Sequence, residues 1–229
     1  AASKKVKAVI IHIDSPGGTT VGSEAIYEKI RIMAKDRPVA AVMNSVAASG
    51  GYITAIAADH ILARGNTITG SIGVVFTFPE VSKLLDTLGI KMEEIKSGEL
   101  KAEPSPYKPV TPRAREVSAL MVQDSFAWFT GLVAERRKLS IEQVRILSDG
   151  RVYTGRQALK EKLIDELGGE DVRVAAPETE RALVDMALHS TSAQTQRICG
   201  KWGNVDERDR RDPETDEPPD HRPTELSAT

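Results

Sequence analysis

The sequence predicts a layered α/β fold with a largely parallel sheet. Short runs of strand composition alternate with helical patterns from residue 6 to about residue 170, the order that builds parallel sheets covered by helices. Glycine-rich turns punctuate this alternation, at Pro16-Gly17-Gly18 and Gly50-Gly51. Several of the helices also carry readable start signals.

The first apolar run, residues 6–14, ends in Ser15-Pro16-Gly17-Gly18, a turn whose amides can lie bare against a ligand. An amphipathic helix follows, with Ile26, Ile30 and Met33 at helical spacing as one apolar stripe. Residues 39–42 form a short strand, Ser49 opens an alanine-rich helix over residues 49–58, and Ile61-Leu62 is again a strand. Residues 70–76 read as a glycine-punctuated strand, residues 81–88 as a helix turning at Gly89, and residues 90–95 as a further strand. Thr111-Pro112 is an N-cap with proline at the first helical position, opening a long helix to about residue 138. Ser140 with Gln143, and Thr154 with Gln157, have capping-box spacing and start two short helices.

A chain of 229 residues is long enough for one substantial core. Its 31 basic and 33 acidic residues nearly cancel, and no basic stripe is interleaved with aromatics, which argues against a nucleic-acid partner. The single cysteine, Cys199, excludes an internal disulfide and offers no metal cluster. No run approaches the roughly 18 apolar residues of a membrane span, and no charged start precedes an apolar signal core. The chain starts at Ala1, almost inside a strand, and so reads as a processed or truncated product. One folded unit is expected over residues 1–189. In residues 190–229 charge and proline replace apolar side chains, too little burial to offset the entropy of ordering, so this segment is expected to be a disordered charged tail.

Ser49 and the Gly17-Gly18 turn together read as a nucleophile and its oxyanion site. Ser49 stands at the first turn of its helix, where the Gly50 amide favours a developing negative charge. A serine hydroxyl is a weak nucleophile and needs a base within hydrogen-bond reach. Of the four histidines, His221 falls in the tail and His189 at its boundary. His12 precedes the glycine turn on its strand, and His60 lies at the far end of the Ser49 helix, about 15 Å along it. A Ser-His-Asp triad is therefore disfavoured. Lysine is the other option, provided that it is desolvated. Lys101 follows Ser97-Gly98 in a loop, but spacing alone does not separate it from Lys96 or Lys108.

Five motifs, taken in order, resemble the signal peptide peptidase A family in its short form. They are Asp14-Ser15-Pro16-Gly17-Gly18, Ala47-Ala48-Ser49-Gly50-Gly51-Tyr52, Thr69-Gly70-Ser71-Ile72-Gly73-Val74, Lys96-Ser97-Gly98 followed by Lys101, and Asp149-Gly150-Arg151-Val152-Tyr153-Thr154-Gly155. Ser-Pro-Gly-Gly alone is shared with Clp proteases and the wider crotonase-like fold. The resemblance implies a crotonase-like (Clp-protease-like) fold without its N-terminal strands, residues 1–189 being the peptidase domain. It also implies a serine endopeptidase with a Ser/Lys dyad, Ser49 and Lys101, acting on hydrophobic peptides such as cleaved signal peptides. Gly17 or Gly18 with Gly50 would hold the oxyanion, and Ser71 or Ser97 would orient the lysine or bond its own loop. No metal or cofactor is required. The resemblance implies a homo-oligomer in which the two dyad members come from neighbouring subunits. It places family members at the bacterial inner membrane, facing the periplasm or extracytoplasmic side, through a segment outside this chain. Two positions depart from the family pattern: Asp14 stands where asparagine is frequent, and Ala102 where serine commonly follows the lysine. The competing readings are a crotonase-type acyl-CoA enzyme and an inactive truncated scaffold.

Overall fold

Strand β2 (Val39–Ala48) is the axis of the sheet, because its first half is apolar on both faces, the pattern of a strand covered on both sides. The computed structural model describes residues 8–169. Along one edge of β2 runs β1 (Val9–Ser15), parallel from Val9↔Val39 to Ile13↔Met43 and again at Ser15↔Ala47. The other edge is shared. β3 (His60–Ala63) pairs with Ala40 to Met43, and β4 (Ile68–Gly70) takes over opposite Val46 to Ala48, both parallel. Two short strands complete the sheet: β6 (Glu166–Leu167) lies parallel to β3, and β5 (Val152–Thr154) antiparallel to β4. The sheet is thus largely parallel, as the alternation of patterns predicts.

Helix α1 (Thr20–Ala34) starts at Thr19, whose hydroxyl accepts from Gly22 N. Its inward stripe is Tyr27, Ile30, Met33 and Ala34, whereas Ile26 is half exposed. The apolar positions at the C-terminal end of the helix therefore set its rotation. Helix α2 (Gly50–Ile56) is buried along nearly its whole length. Gly50, Gly51 and Ala55 let it lie close to α1 and β2, while Tyr52 is fully buried and its hydroxyl donates to Leu163 O at 2.8 Å.

Two further helices, α3 (Ser82–Thr87) and the long α4 (Pro112–Arg137), follow. Thr111 caps α4 with proline in its first turn, and Lys138 ends it in the left-handed conformation. The C-terminal half of α4 buries Phe129 and Val133, and Arg136 donates to Ile56 O and Ala58 O at the end of α2. Both capping boxes form as read, Ser140–Gln143 opening α5 (Ile141–Leu147) and Thr154–Gln157 opening α6 (Gly155–Lys160).

Four expectations are corrected. The strand beginning at residue 39 runs to Ala48 instead of ending at residue 42. Residues 70–76 are no strand: β4 ends at Gly70, where Ser71 takes φ 50° and turns the chain off the sheet. Residues 90–95 have strand composition but no neighbour to pair with, and Ile90, Met92 and Ile95 are exposed; composition without a ladder makes no strand. Finally, α4 is long and apolar enough to cross a membrane by length and composition, although its C-terminal half is packed against α2. The proposed tail, residues 190–229 with Cys199 and His221, and His189 at its boundary lie outside the described residues.

Candidate active site

Ser49 occupies the sharp corner between β2 and α2, with φ 53° and ψ −118°. A non-glycine residue held there costs about 1–3 kcal/mol, so its surroundings must enforce the shape. They do so by backbone hydrogen bonds: Ser49 N donates to Gly70 O at 2.8 Å, and Ser49 O accepts from Ile53 N at 3.0 Å. The corner projects the half-buried hydroxyl from the end of the strand.

The glycines around it are there for close approach. Gly17 has φ +125°, and a Cβ on it would fall 2.9 Å from Ser49 Cβ and 3.2 Å from both Ser49 Oγ and Gly50 N. A Cβ on Gly50 would collide with Ser23 Oγ and stand 3.2 Å from Gly18 N. On Gly51 it would reach within 2.5 Å of the Ser15 carbonyl oxygen. The turn after β1 is thereby pressed directly against the Ser49 corner. It is pinned there locally, since Gly17 N donates to Ser15 Oγ at 3.2 Å. Asp14 braces the same region: at the register shift of β1 its carboxylate accepts from Val46 N at 3.0 Å, so the departure from asparagine keeps an acceptor.

Ser49, Gly18, Gly50 and Ser71 line a cavity of about 550 Å³, the size of a small-ligand or side-chain pocket. Its apolar wall includes Ile53, Val74, Phe126 and Phe129. Sequence reasoning missed the contribution of α4, although Phe126 and Phe129 at i, i+3 on its C-terminal half were a legible signal. Asp149 stands at the cavity as well, bound by the Arg151 guanidinium, and that hydrogen bond holds its carboxyl down at about 2. Arg151 O in turn accepts from Ser71 N at 2.8 Å, so the Asp149-Gly150-Arg151 turn fixes the strained Ser71.

The predicted residues do not all converge. Lys101 and Ser97 are exposed and outside this lining, in the loop between α3 and α4. His60 lies at the start of β3, with Nε2 3.7 Å from Glu166 Oε2, and His12 is exposed on the otherwise largely covered β1; neither lines the cavity. The structure does separate the three lysines. Lys96 Nζ sits 2.9 Å from carboxylate oxygens of both Glu94 and Glu103, which push its pKa up, and Lys108 Nζ lies 2.6 Å from Glu103. Lys101 makes no ion pair among the described residues.

Residues 31–184 match the family model for peptidase family S49. The chain belongs to peptidase family S49. An S49 relative from Arabidopsis thaliana, "Serine protease SPPA, chloroplastic", is 41% identical over 171 residues, 73% of this chain and 25% of that protein. A Synechocystis sp. relative named "Putative protease slr0021" is 39% identical over 73% of this chain and 61% of its own length. The S49 chain described here spans between about half and three fifths of the first curated relatives it matches. Among solved structures it is similar to a ClpP1 N165D mutant from Listeria monocytogenes, at 16% identity and TM-score 0.47 over 72% of this chain and 75% of that one.

Proposed function

We propose that this S49 chain is the catalytic part of a serine endopeptidase that uses Ser49 and Lys101 to hydrolyse hydrophobic peptides, cleaved signal peptides among them. The observation that carries the reading is the strained Ser49 corner, opening on a partly apolar cavity and backed by the Gly17-Gly18 turn. The apolar wall suits a hydrophobic side chain of the substrate.

Neutral Lys101 takes the Ser49 proton as Oγ attacks the scissile carbonyl carbon. The carbonyl oxygen becomes an oxyanion, held by the amides of Gly50 and Gly18. Gly18 is favoured over Gly17 because it lines the cavity and its nitrogen lies beside Gly50, while Gly17 packs against the serine as a spacer. Collapse of the tetrahedral adduct breaks the C–N bond, and protonated Lys101 gives its proton to the leaving amine. Water, deprotonated by the same lysine, then releases the acyl group. Ser71, at the cavity, is better placed than Ser97 to orient the amine.

Lys101 lies outside the lining of the cavity that holds Ser49, which favours a homo-oligomer where a neighbouring copy supplies the lysine. Membrane association at the extracytoplasmic face is part of the same reading. A fluorophosphonate probe should label Ser49, and casein hydrolysis should vanish with Ser49→Ala. Tight binding of CoA by a chain that no fluorophosphonate labels would replace this reading with acyl-CoA chemistry.

A further inference from the structure

Lys101 sits in a loop of six residues, 97–102, between Lys96 and Glu103. The loop has turn bonds of its own, Lys101 N to Gly98 O at 3.1 Å and Glu103 N to Leu100 O at 3.2 Å. No helix or strand is assigned to residues 90–110 on either side of it. What closes the loop at its base is a cluster of four charges. Lys96 Nζ donates to Glu103 Oε1 at 2.9 Å and sits 2.9 Å from Glu94 Oε2. Lys108 Nζ reaches the same Glu103 oxygen at 2.6 Å and Glu94 at 3.6 Å. Ser105 completes it, its amide donating to Glu103 Oε2 at 3.2 Å and its hydroxyl to Glu94 Oε1 at 3.3 Å.

This is unlike an ordinary surface ion pair. The Glu103 side chain is only 4% exposed, accepts from three donors and is matched by two ammonium groups; networks of this kind hold geometry where isolated exposed pairs do not.

The geometry points to Glu103 and Lys96 as positioning residues for the hydrolytic reaction: their ion pair is a clasp that holds the 97–102 loop in the one shape that presents Lys101 to a Ser49 site. The inference rests on Lys101 being the base. Two physical consequences follow from the clasp. It prepays the entropy of ordering a loop that belongs to no helix or strand, which is what a positioned base requires. It also occupies the Glu103 carboxylate with Lys96 and Lys108; a carboxylate left to pair with Lys101 would favour the ammonium form, which cannot accept a proton.

The test is steady-state hydrolysis of an apolar fluorogenic peptide by the full chain, comparing wild type, Glu103→Gln, Lys96→Met, Lys96→Arg and Lys101→Ala. Glu103→Gln and Lys96→Met should lower kcat roughly tenfold to a hundredfold while KM stays within about twofold, the loss expected when a catalytic group is misplaced by about 1 Å. Lys96→Arg keeps the charge and should recover most of kcat. A wild-type kcat in Glu103→Gln, or a change confined to KM, overturns the clasp. Should Glu103→Gln fail to fold, the Lys96→Met and Lys96→Arg pair decides alone, and equal activity in those two overturns it. An inactive Lys101→Ala beside a fully active Glu103→Gln defeats the clasp and leaves the dyad standing. An active Lys101→Ala defeats the dyad, and the purpose of the clasp with it.

Discussion

Ser49 holds a backbone shape that serine rarely takes, and the restraint is distributed over Gly17, Gly50, Gly51 and Gly70. Gly17 bears on the serine most directly, because it needs both φ +125° and the absence of a Cβ beside Ser49. Gly17→Ala should therefore cost about 1–3 kcal/mol, visible as a lowered melting temperature, and should reduce kcat more than tenfold by displacing the hydroxyl. A variant as stable and active as wild type would mean that the turn does not support the corner. Ser49→Ala and Lys101→Ala should abolish hydrolysis and leave the melting temperature nearly unchanged, and His60→Ala, outside the cavity, should keep most activity. An inactive but folded His60→Ala would speak for histidine as the base. At Glu103 the sign of the pH effect is set: hydrogen bonds from Lys108 and Lys96 hold its carboxyl at about 2, below the ordinary value of about 4.3. Its contribution to stability is present above about 4.3 and is lost as pH falls through about 2. The wild-type melting temperature should thus fall more steeply over that window than that of Glu103→Gln; parallel curves would show that the clasp adds nothing to stability.

At the scale of elements, capping chemistry was the most legible signal. Thr111, Ser140 and Thr154 each start the helix that their spacing announced, because the determinants of a cap lie within four residues. Removing one such oxygen by Thr154→Ala should destabilise the chain by about 1 kcal/mol in a denaturant titration, with activity retained because α6 does not line the cavity. No change would mean that the Gln157 half of the box suffices. Strands were less legible, since a strand is completed by a partner that its own residues do not specify. Residues 90–95 have the composition and lack the neighbour, whereas Asn44 and Ser45, polar and exposed, belong to β2 because β1 and β4 flank the strand around them. The site divides the same way. Ser49-Gly50-Gly51 and the Gly17-Gly18 turn are each short local motifs, readable from the sequence as candidates, while the cavity wall brought by Phe126 and Phe129 depends on how α4 lies over α2.

At the scale of the whole molecule, the proposed pairing of Ser49 with Lys101 makes a prediction about assembly. Within one chain Ser49 faces the cavity and Lys101 lies in an exposed loop beyond its lining. The same stretch of chain exposes Val75, Leu84, Leu88, Ile95 and, further on, Leu120 and Met121, more apolar surface than a solvated arm needs. Both features fit a closed ring in which this arm of one copy covers the cavity of the next. In such a ring each site draws its serine from one chain and its lysine from another. Ser49→Ala and Lys101→Ala chains, inactive apart, would then form working sites when co-refolded, wherever an intact Ser49 meets an intact Lys101. Random mixing in equal amounts puts an intact serine in half the positions and an intact lysine beside it in half of those, so recovery should approach roughly a quarter of wild-type activity. The measurement is peptide hydrolysis by the mixed oligomer, its composition verified by differential tagging. Activity at that level locates the dyad between subunits. No recovery in a verified mixture, or full activity in a strict monomer, would place both groups of each site in one chain and require the 97–102 loop to swing into its own cavity.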